Sequence, residues 1–262
     1  MQKNSTSETR FIEFVDIVRK LRKECPWDKE QTHESLRRCL LEESYEVLES
    51  IDNNEINELK KELGDVLLQV IFHSVIGEEN KTFSLDEVIT LETKKLIARH
   101  PHIFSDVKVS GSEEVKTNWE RLKKKEGRIS ILDGIPKELP ALFKAYRVQE
   151  KVAKVGFDWK DFKPVYDKIL EEVNELKVNI QSGKSQHEIE NEFGDVLFSI
   201  VNYARFLKIN PEDALRKTIA KFTSRFNKIE EYAKSNGLNI ENMTLEEMDV
   251  IWNKAKEKNI EN

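Results

Sequence analysis

The chain has 262 residues, enough for one large domain or two of ordinary size. Charged residues make up 35% of it and hydrophobic ones 38%, and the net charge of -6 argues against non-specific binding to nucleic acid or to membranes. With 9 Gly and 6 Pro the chain is poor in turn formers, which favours long helices.

Residues 10–24 carry Phe11, Phe14, Val15, Val18 and Leu21 at helical spacing and predict a first helix. The stretch "CPWD" follows, with Pro26 as its stop. A Glu-rich helix is expected over 34–51, then a polar turn at "DNNE". The next helix, 56–77, has Leu59, Leu63, Val66, Leu67, Val70 and Ile71 as apolar positions. In "SLDEV", Ser84 with Glu87 three residues on reads as a capped helix start. That helix should run to about Arg99 and end at "HPHIF". Gly127, Gly134, Pro136 and Pro140 gather in "EGRISILDGIPKELPALF" and mark a linker over 127–140, between modules at 1–126 and 141–262. Strand signals are weak throughout, so the expected fold class is all-α. The start of the chain has no apolar core of a signal segment, and no run reaches the length of a membrane span. Cys25 and Cys39 form no paired framework. A cytoplasmic protein is expected, with neither membrane nor nucleic acid as partner.

The pattern after the linker repeats the one before it, about 130 residues on. Trp27-Asp28 lines up with Phe157-Asp158. Glu42, Glu43 and Glu46 line up with Glu171, Glu172 and Glu175, and Glu62 and Asp65 with Glu192 and Asp195. Lys95 and Arg99 match Lys221 and Arg225; Trp119 and Lys123 match Trp252 and Lys256. One helical module therefore occurs twice, each copy roughly domain-sized.

Both copies point acids the same way from otherwise apolar helices. Positions three apart share a helix face, so Glu172 pairs with Glu175, and Glu192 with Asp195 on the next helix. If the two helices pack antiparallel, four carboxylates converge on one groove, with Glu171 at its edge. Like charges so arranged need a positive partner. Hard oxygen donors without His or Cys suit Mg2+, with Mn2+ as a substitute. Gly64 and Gly194 beside the acids suggest a close approach. An ordinary solvated face explains a single Glu pair well, but not two facing pairs given twice. A di-iron bundle would carry His three residues after Glu, and Glu46, Glu175 and Asp195 stand there instead. His100 and His102 flank Pro101 and read as a turn rather than as ligands.

"EExxE" followed by "ExxD" on helices resembles the all-α nucleoside triphosphate pyrophosphohydrolases. "CPWDKEQTHESLRRCLLEESYEVLE", "ARHPHIFSD", "ILDGIPKELPALFKAYRVQEKVAKVGFDW" and "KFTSRFNKIE" resemble the MazG family in particular, over almost the whole chain. The resemblance implies two tandem MazG-like helical modules. It also implies hydrolysis of nucleoside triphosphates to monophosphates and pyrophosphate, Mg2+ dependence, broad nucleotide tolerance and a homodimer. By motif position it makes Glu172, Glu175, Glu192 and Asp195 metal ligands in the C-terminal copy, with Glu171 completing the catalytic set. Glu43, Glu46, Glu62 and Asp65 are the N-terminal ligand set, with Glu42 as the helper.

Within that expectation Lys221 and Arg225, four apart on one face, suit phosphates, Trp252 suits stacking on a base, and Lys256 lies one turn on. Lys95, Arg99 and Trp119 are their N-terminal counterparts. The copies differ where Asn202, able to bond a base or sugar, is matched by Phe72. The C-terminal copy is therefore expected to be the main catalytic centre. The rival expectation is a non-catalytic helical interaction module with a structural metal site.

Overall fold

The computed structural model describes residues 6–258, apart from 113, 116–117, 120–121 and 123–129. Lys123 and the first part of the expected linker, 127–129, lie outside the described residues. The described residues form helices and turns with no strand among them, and the chain divides into two compact units, Met1–Gly127 and Arg128–Asn262.

The N-terminal unit contains α1 (Ser7–Glu24), α2 (Pro26–Lys29), α3 (Arg37–Asp52), α4 (Ile56–Glu79), α5 (Leu85–Arg99) and α6 (Pro101–Phe104). Its core is a single apolar cluster of Val15, Val18, Leu36, Ile71, Phe72, Val75, Ile76 and Leu85. These residues come from α1, α4, the N-cap of α3 (Leu36) and the first residue of α5 (Leu85). The long pairing is between α3 and α4. Arg19 and Arg22 of α1 hold Glu78 and Glu79 at the end of α4, at 3.1 and 2.9 Å.

Ser84 caps α5 as expected: its side chain accepts from the Glu87 N–H, and the Glu87 carboxylate accepts from the Ser84 N–H. Pro26 differs from expectation. The first helix does end before it, but Pro26 opens α2 rather than halting helix altogether. At the first helical position the missing N–H costs nothing, because that group has no intrahelical partner anyway. Pro101 does the same for α6.

The C-terminal unit contains α7 (Ala141–Ala153), α8 (Phe162–Gln181), α9 (Gln186–Phe206), α10 (Pro211–Ser235), a short 3-10 turn (Ile240–Asn242) and α11 (Leu245–Lys258). The chain before α7 is fastened to it, since buried Lys151 donates to the carbonyls of Ile131 and Asp133. These two carbonyls take two of the three hydrogen bonds that an ammonium on a buried stem can donate. Helices α8 and α9 form the main antiparallel pair, and α7 lies across α9. The turn joining them has Gly183 at φ +65, and α9 starts on a Ser185–Glu188 capping box. The Ser185 bonds, and then Lys184, hold the Glu188 carboxyl down to about 2.

Phe72 is almost fully buried in the N-terminal cluster. Phe72→Ala should lower the unfolding free energy of that unit by about 3–5 kcal/mol, read as a fall in the urea midpoint. A loss near zero would mean that Phe72 does not anchor this core.

Candidate metal and nucleotide site

The α8–α9 pair faces its acids into a shared groove. One oxygen from each of Glu172, Glu192 and Asp195 lies within 4.8 Å of the others. A cation bonded at roughly 2.1–2.5 Å to each oxygen spans that spread. Glu172 is only 7% exposed, while Asp195 is open to solvent. Glu175 lies one turn beyond Glu172 and is exposed. Its carboxyl is held above the usual range by desolvation first, then by the charges of Glu172 and Glu192.

Lys168 is the positive group the chain itself supplies. Its ammonium sits 2.7 Å from both Glu171 and Glu172, and those two bonds push its titration upward. Glu171 is thereby drawn to the edge of the cluster. Lys168 was not singled out from sequence, although its spacing, three and four residues before Glu171 and Glu172, is the one that pairs charges on a helix.

Beside this cluster is a pocket of about 330 Å³, within the roughly 300–1,000 Å³ range of small-molecule sites. Lys168, Glu172 and Asp195 form one part of its wall. Phe157, Trp159 and Phe198 form another, with Val148, Val152 and Val165. Asn202 lines it and is buried. The Asn202 carbonyl accepts from Arg205 Nε at 3.0 Å and Nη2 at 2.8 Å. The same guanidinium takes both oxygens of Asp158. Arg205 thus ties the 157–159 loop to α9 and fixes which end of the Asn202 amide carries the N–H groups. Asp158 was marked in the sequence only as the repeat partner of Asp28, and Trp159, Phe198 and Arg205 carried no signal of their own.

The remaining expected residues lie on α10 and α11, and none of them lines the pocket. Lys221 and Lys256 are exposed. Arg225 stacks over Trp252 at 5.5 Å, and Phe222 packs on the same ring at 4.9 Å. The Arg225 Nε is buried without a hydrogen-bond partner.

The N-terminal unit brings Glu43, Glu62 and Asp65 together in the same way. Glu46 is exposed and lies close enough to Glu43 and Glu62 to raise both. Desolvation, then Asp65 and Glu46, raises Glu43; desolvation, then Glu46, raises Glu62. Arg99 lies over Trp119 at 5.6 Å, and Lys95 is paired with Glu92. At the repeat spacing, however, Lys168, Asn202 and Arg205 fall opposite Cys39, Phe72 and Val75. Phe72 and Val75 are core residues, and Cys39 packs against that core. Apolar side chains thus stand at the N-terminal equivalents of the polar wall.

A Cβ placed on Gly64 or Gly194 would meet nothing within 4 Å. Packing within either unit therefore gives no reason for these glycines.

The MazG nucleotide pyrophosphohydrolase domain model matches residues 31–104 and 161–229, one copy in each unit. The chain belongs to the MazG family. It is 47% identical to the nucleoside triphosphate pyrophosphohydrolase/pyrophosphatase MazG of Thermotoga maritima, over 94% of this chain and 95% of that one. It is 38% identical to the nucleoside triphosphate pyrophosphohydrolase of Escherichia coli K12, over 96% of this chain and 98% of that protein. It also matches Bacillus subtilis YabN at 48% identity, spanning 52% of that longer protein. The matched segments carry both acidic clusters, and hard oxygen donors so placed fit a divalent cation.

The raised carboxyls give this a pH signature. Glu43, Glu62 and Glu175 hold protons more readily in the folded chain than at the unfolded value of about 4.3. Their contribution to stability is therefore full below that value and is lost as pH rises through the folded one. A cation replaces those protons. The rise in melting temperature produced by Mg2+, measured against a chelator control, should be small at pH 5 and grow to a plateau by about pH 7.5. An equal shift at both pH values would show that the cation binds elsewhere.

Proposed function

We propose that this chain hydrolyses nucleoside triphosphates to nucleoside monophosphates and pyrophosphate, using Mg2+ or Mn2+ at the C-terminal acidic cluster. One observation carries the reading: Glu172 and Asp195 belong both to the three-oxygen cluster and to the wall of the aromatic pocket. A metal-bound triphosphate and a flat base need those two environments side by side. The names of the Thermotoga maritima and Escherichia coli relatives support the same reaction.

The cation, when bound, would neutralise the polyphosphate, polarise a phosphoryl oxygen and lower the pKa of a water. Glu172, Glu192 and Asp195 would hold it, with Glu175 one turn away. Lys168 orients Glu171 and Glu172 through its two short bonds. Water oxygen joins the α phosphorus, the bond to the β-phosphate oxygen breaks, and pyrophosphate leaves. The leaving charge needs cations. Arg225, with its buried unpartnered Nε, is a candidate on this chain, together with Lys221 and Lys256.

Phe157, Trp159 and Phe198 offer the base apolar faces, and their exposure, greatest at Phe157, is otherwise unfavourable. Stacking accepts any base, so broad specificity is the expectation. We assign stacking to this group because it shares the pocket with the cluster, whereas Trp252 is covered by Arg225 and Phe222.

The chain should work as a homodimer. Leu170 and Val173 on α8, and Phe193, Leu197 and Ile200 on α9, are all two-fifths or more exposed. A row of this kind on the site-bearing helices supports a two-fold contact.

Purified protein should convert ATP, GTP, CTP and UTP to monophosphate and pyrophosphate only when Mg2+ or Mn2+ is present, read by ion chromatography. Orthophosphate alone would move the cleavage to another bond, and no turnover would favour a non-catalytic module. Glu172→Gln should lower kcat/KM by about 100-fold or more, whereas Glu43→Gln should cost about threefold or less. Equal losses would remove the division of labour between the units.

A further inference from the structure

We infer that Gln149 reads the nucleobase, its Oε1 accepting an N–H from the base held in the C-terminal pocket. The inference rests on the proposed nucleotide reading of that pocket and adds a residue and a chemical requirement to it.

Gln149 lies on α7 and lines the pocket at only 6% exposure. Its Nε2 donates to the Phe198 carbonyl at 2.8 Å. A carbonyl only accepts, so the bond fixes the amide: nitrogen on Phe198, oxygen on the other side. That oxygen is buried and has no hydrogen-bond partner. A buried amide oxygen left in this state costs as much as a lost hydrogen bond, and Gln149 is the one such group among the described residues that also lines this pocket. A donor arriving with a ligand removes that cost.

The chemistry of the acceptor selects which part of a nucleoside triphosphate supplies the donor. Phosphate oxygens at neutral pH accept and do not donate, so the polyphosphate cannot satisfy it. The ribose hydroxyls can donate, but the neighbouring walls are Phe157, Trp159 and Phe198, which suit a flat ring better than a hydroxylated sugar. An exocyclic amine or a ring N–H remains.

Asn202 complements Gln149. Its oxygen is taken by Arg205, so its Nδ2 is the amide end presented to a ligand. The pocket therefore holds one fixed acceptor and one fixed donor. Each of the four common bases carries both an N–H and an acceptor on its pairing edge. Fixed amides of opposite sense can thus coexist with broad specificity, while a base stripped of its donors is refused.

The test compares substrates differing in one donor: ATP against purine riboside triphosphate, and CTP against 2-pyrimidinone riboside triphosphate. Each analogue lacks only the exocyclic amine. Wild-type enzyme should prefer the amine-bearing substrate about tenfold in kcat/KM. Gln149→Met keeps the length and apolar packing but has no comparable acceptor. It should shrink that preference to within about twofold, most of the change falling on the amine-bearing substrate.

A wild-type enzyme indifferent to the amine overturns the inference, whether or not the variant folds. So does a variant that weakens both members of each pair in the same proportion, which marks Gln149 as structural only. A change confined to the ATP/dATP ratio assigns the oxygen to the ribose and likewise overturns it. If wild-type protein hydrolyses no nucleotide, the functional reading fails on its own. The dissociation constants of the same pairs, measured calorimetrically, then decide Gln149 by the same ratios.

Discussion

Carboxylates gathered within 4.8 Å of one another repel, and the two candidate sites of this chain differ in how that repulsion is met. Each unit pairs two helices so that Glu43, Glu62 and Asp65, or Glu172, Glu192 and Asp195, share one small volume. The N-terminal set meets the repulsion by taking protons more readily, as the raised Glu43 and Glu62 carboxyls show. The C-terminal set meets it partly with Lys168, which grips Glu171 and Glu172. Neither device matches what a divalent cation would do, because a proton or an ammonium satisfies fewer oxygens than a cation with six ligands.

The same helix pair appears twice, and the two copies spend their interiors differently. In the N-terminal unit Phe72 and Val75 close into an apolar cluster with Val15, Val18 and Leu36. In the C-terminal unit the matching positions are Asn202 and Arg205, and a pocket lies beside them. An aromatic ring filling its own core gains burial energy; an amide held by a guanidinium needs hydrogen bonds that water or a ligand completes. The duplication thus left one copy with a more apolar interior and the other with a built recess. Arg205 is the hinge of that difference, since it fastens the loop carrying Trp159 to the helix carrying Asn202.

Aromatic walls, a fixed donor and acceptor, and a set of hard oxygens form a sequence of environments across one pocket. A nucleoside triphosphate has the matching parts in order: a flat base with a pairing edge, and a polyphosphate that travels with a cation. The proposed reaction asks little else of the protein. Phosphoryl transfer depends mostly on positioning and on charge, which rigid helices supply well.

The periodicity of apolar residues determined the helices, the capping chemistry determined where α5 begins, and the doubled acidic motif determined that each unit would gather carboxylates. These are local matters, legible because side chains three and four apart must share a helix face. Lys168 obeys the same rule, but its spacing is an ambiguous signal, since a lysine on a helix usually means only solvent. Gln149, Trp159, Phe198 and Arg205 were not legible. Their meaning comes from the packing of α7 and the 157–159 loop against α9, which lie far apart along the chain. Only tertiary structure decided that the Gln149 oxygen would be buried without a partner, because burial and partnership are properties of what surrounds an atom and not of the residue that carries it.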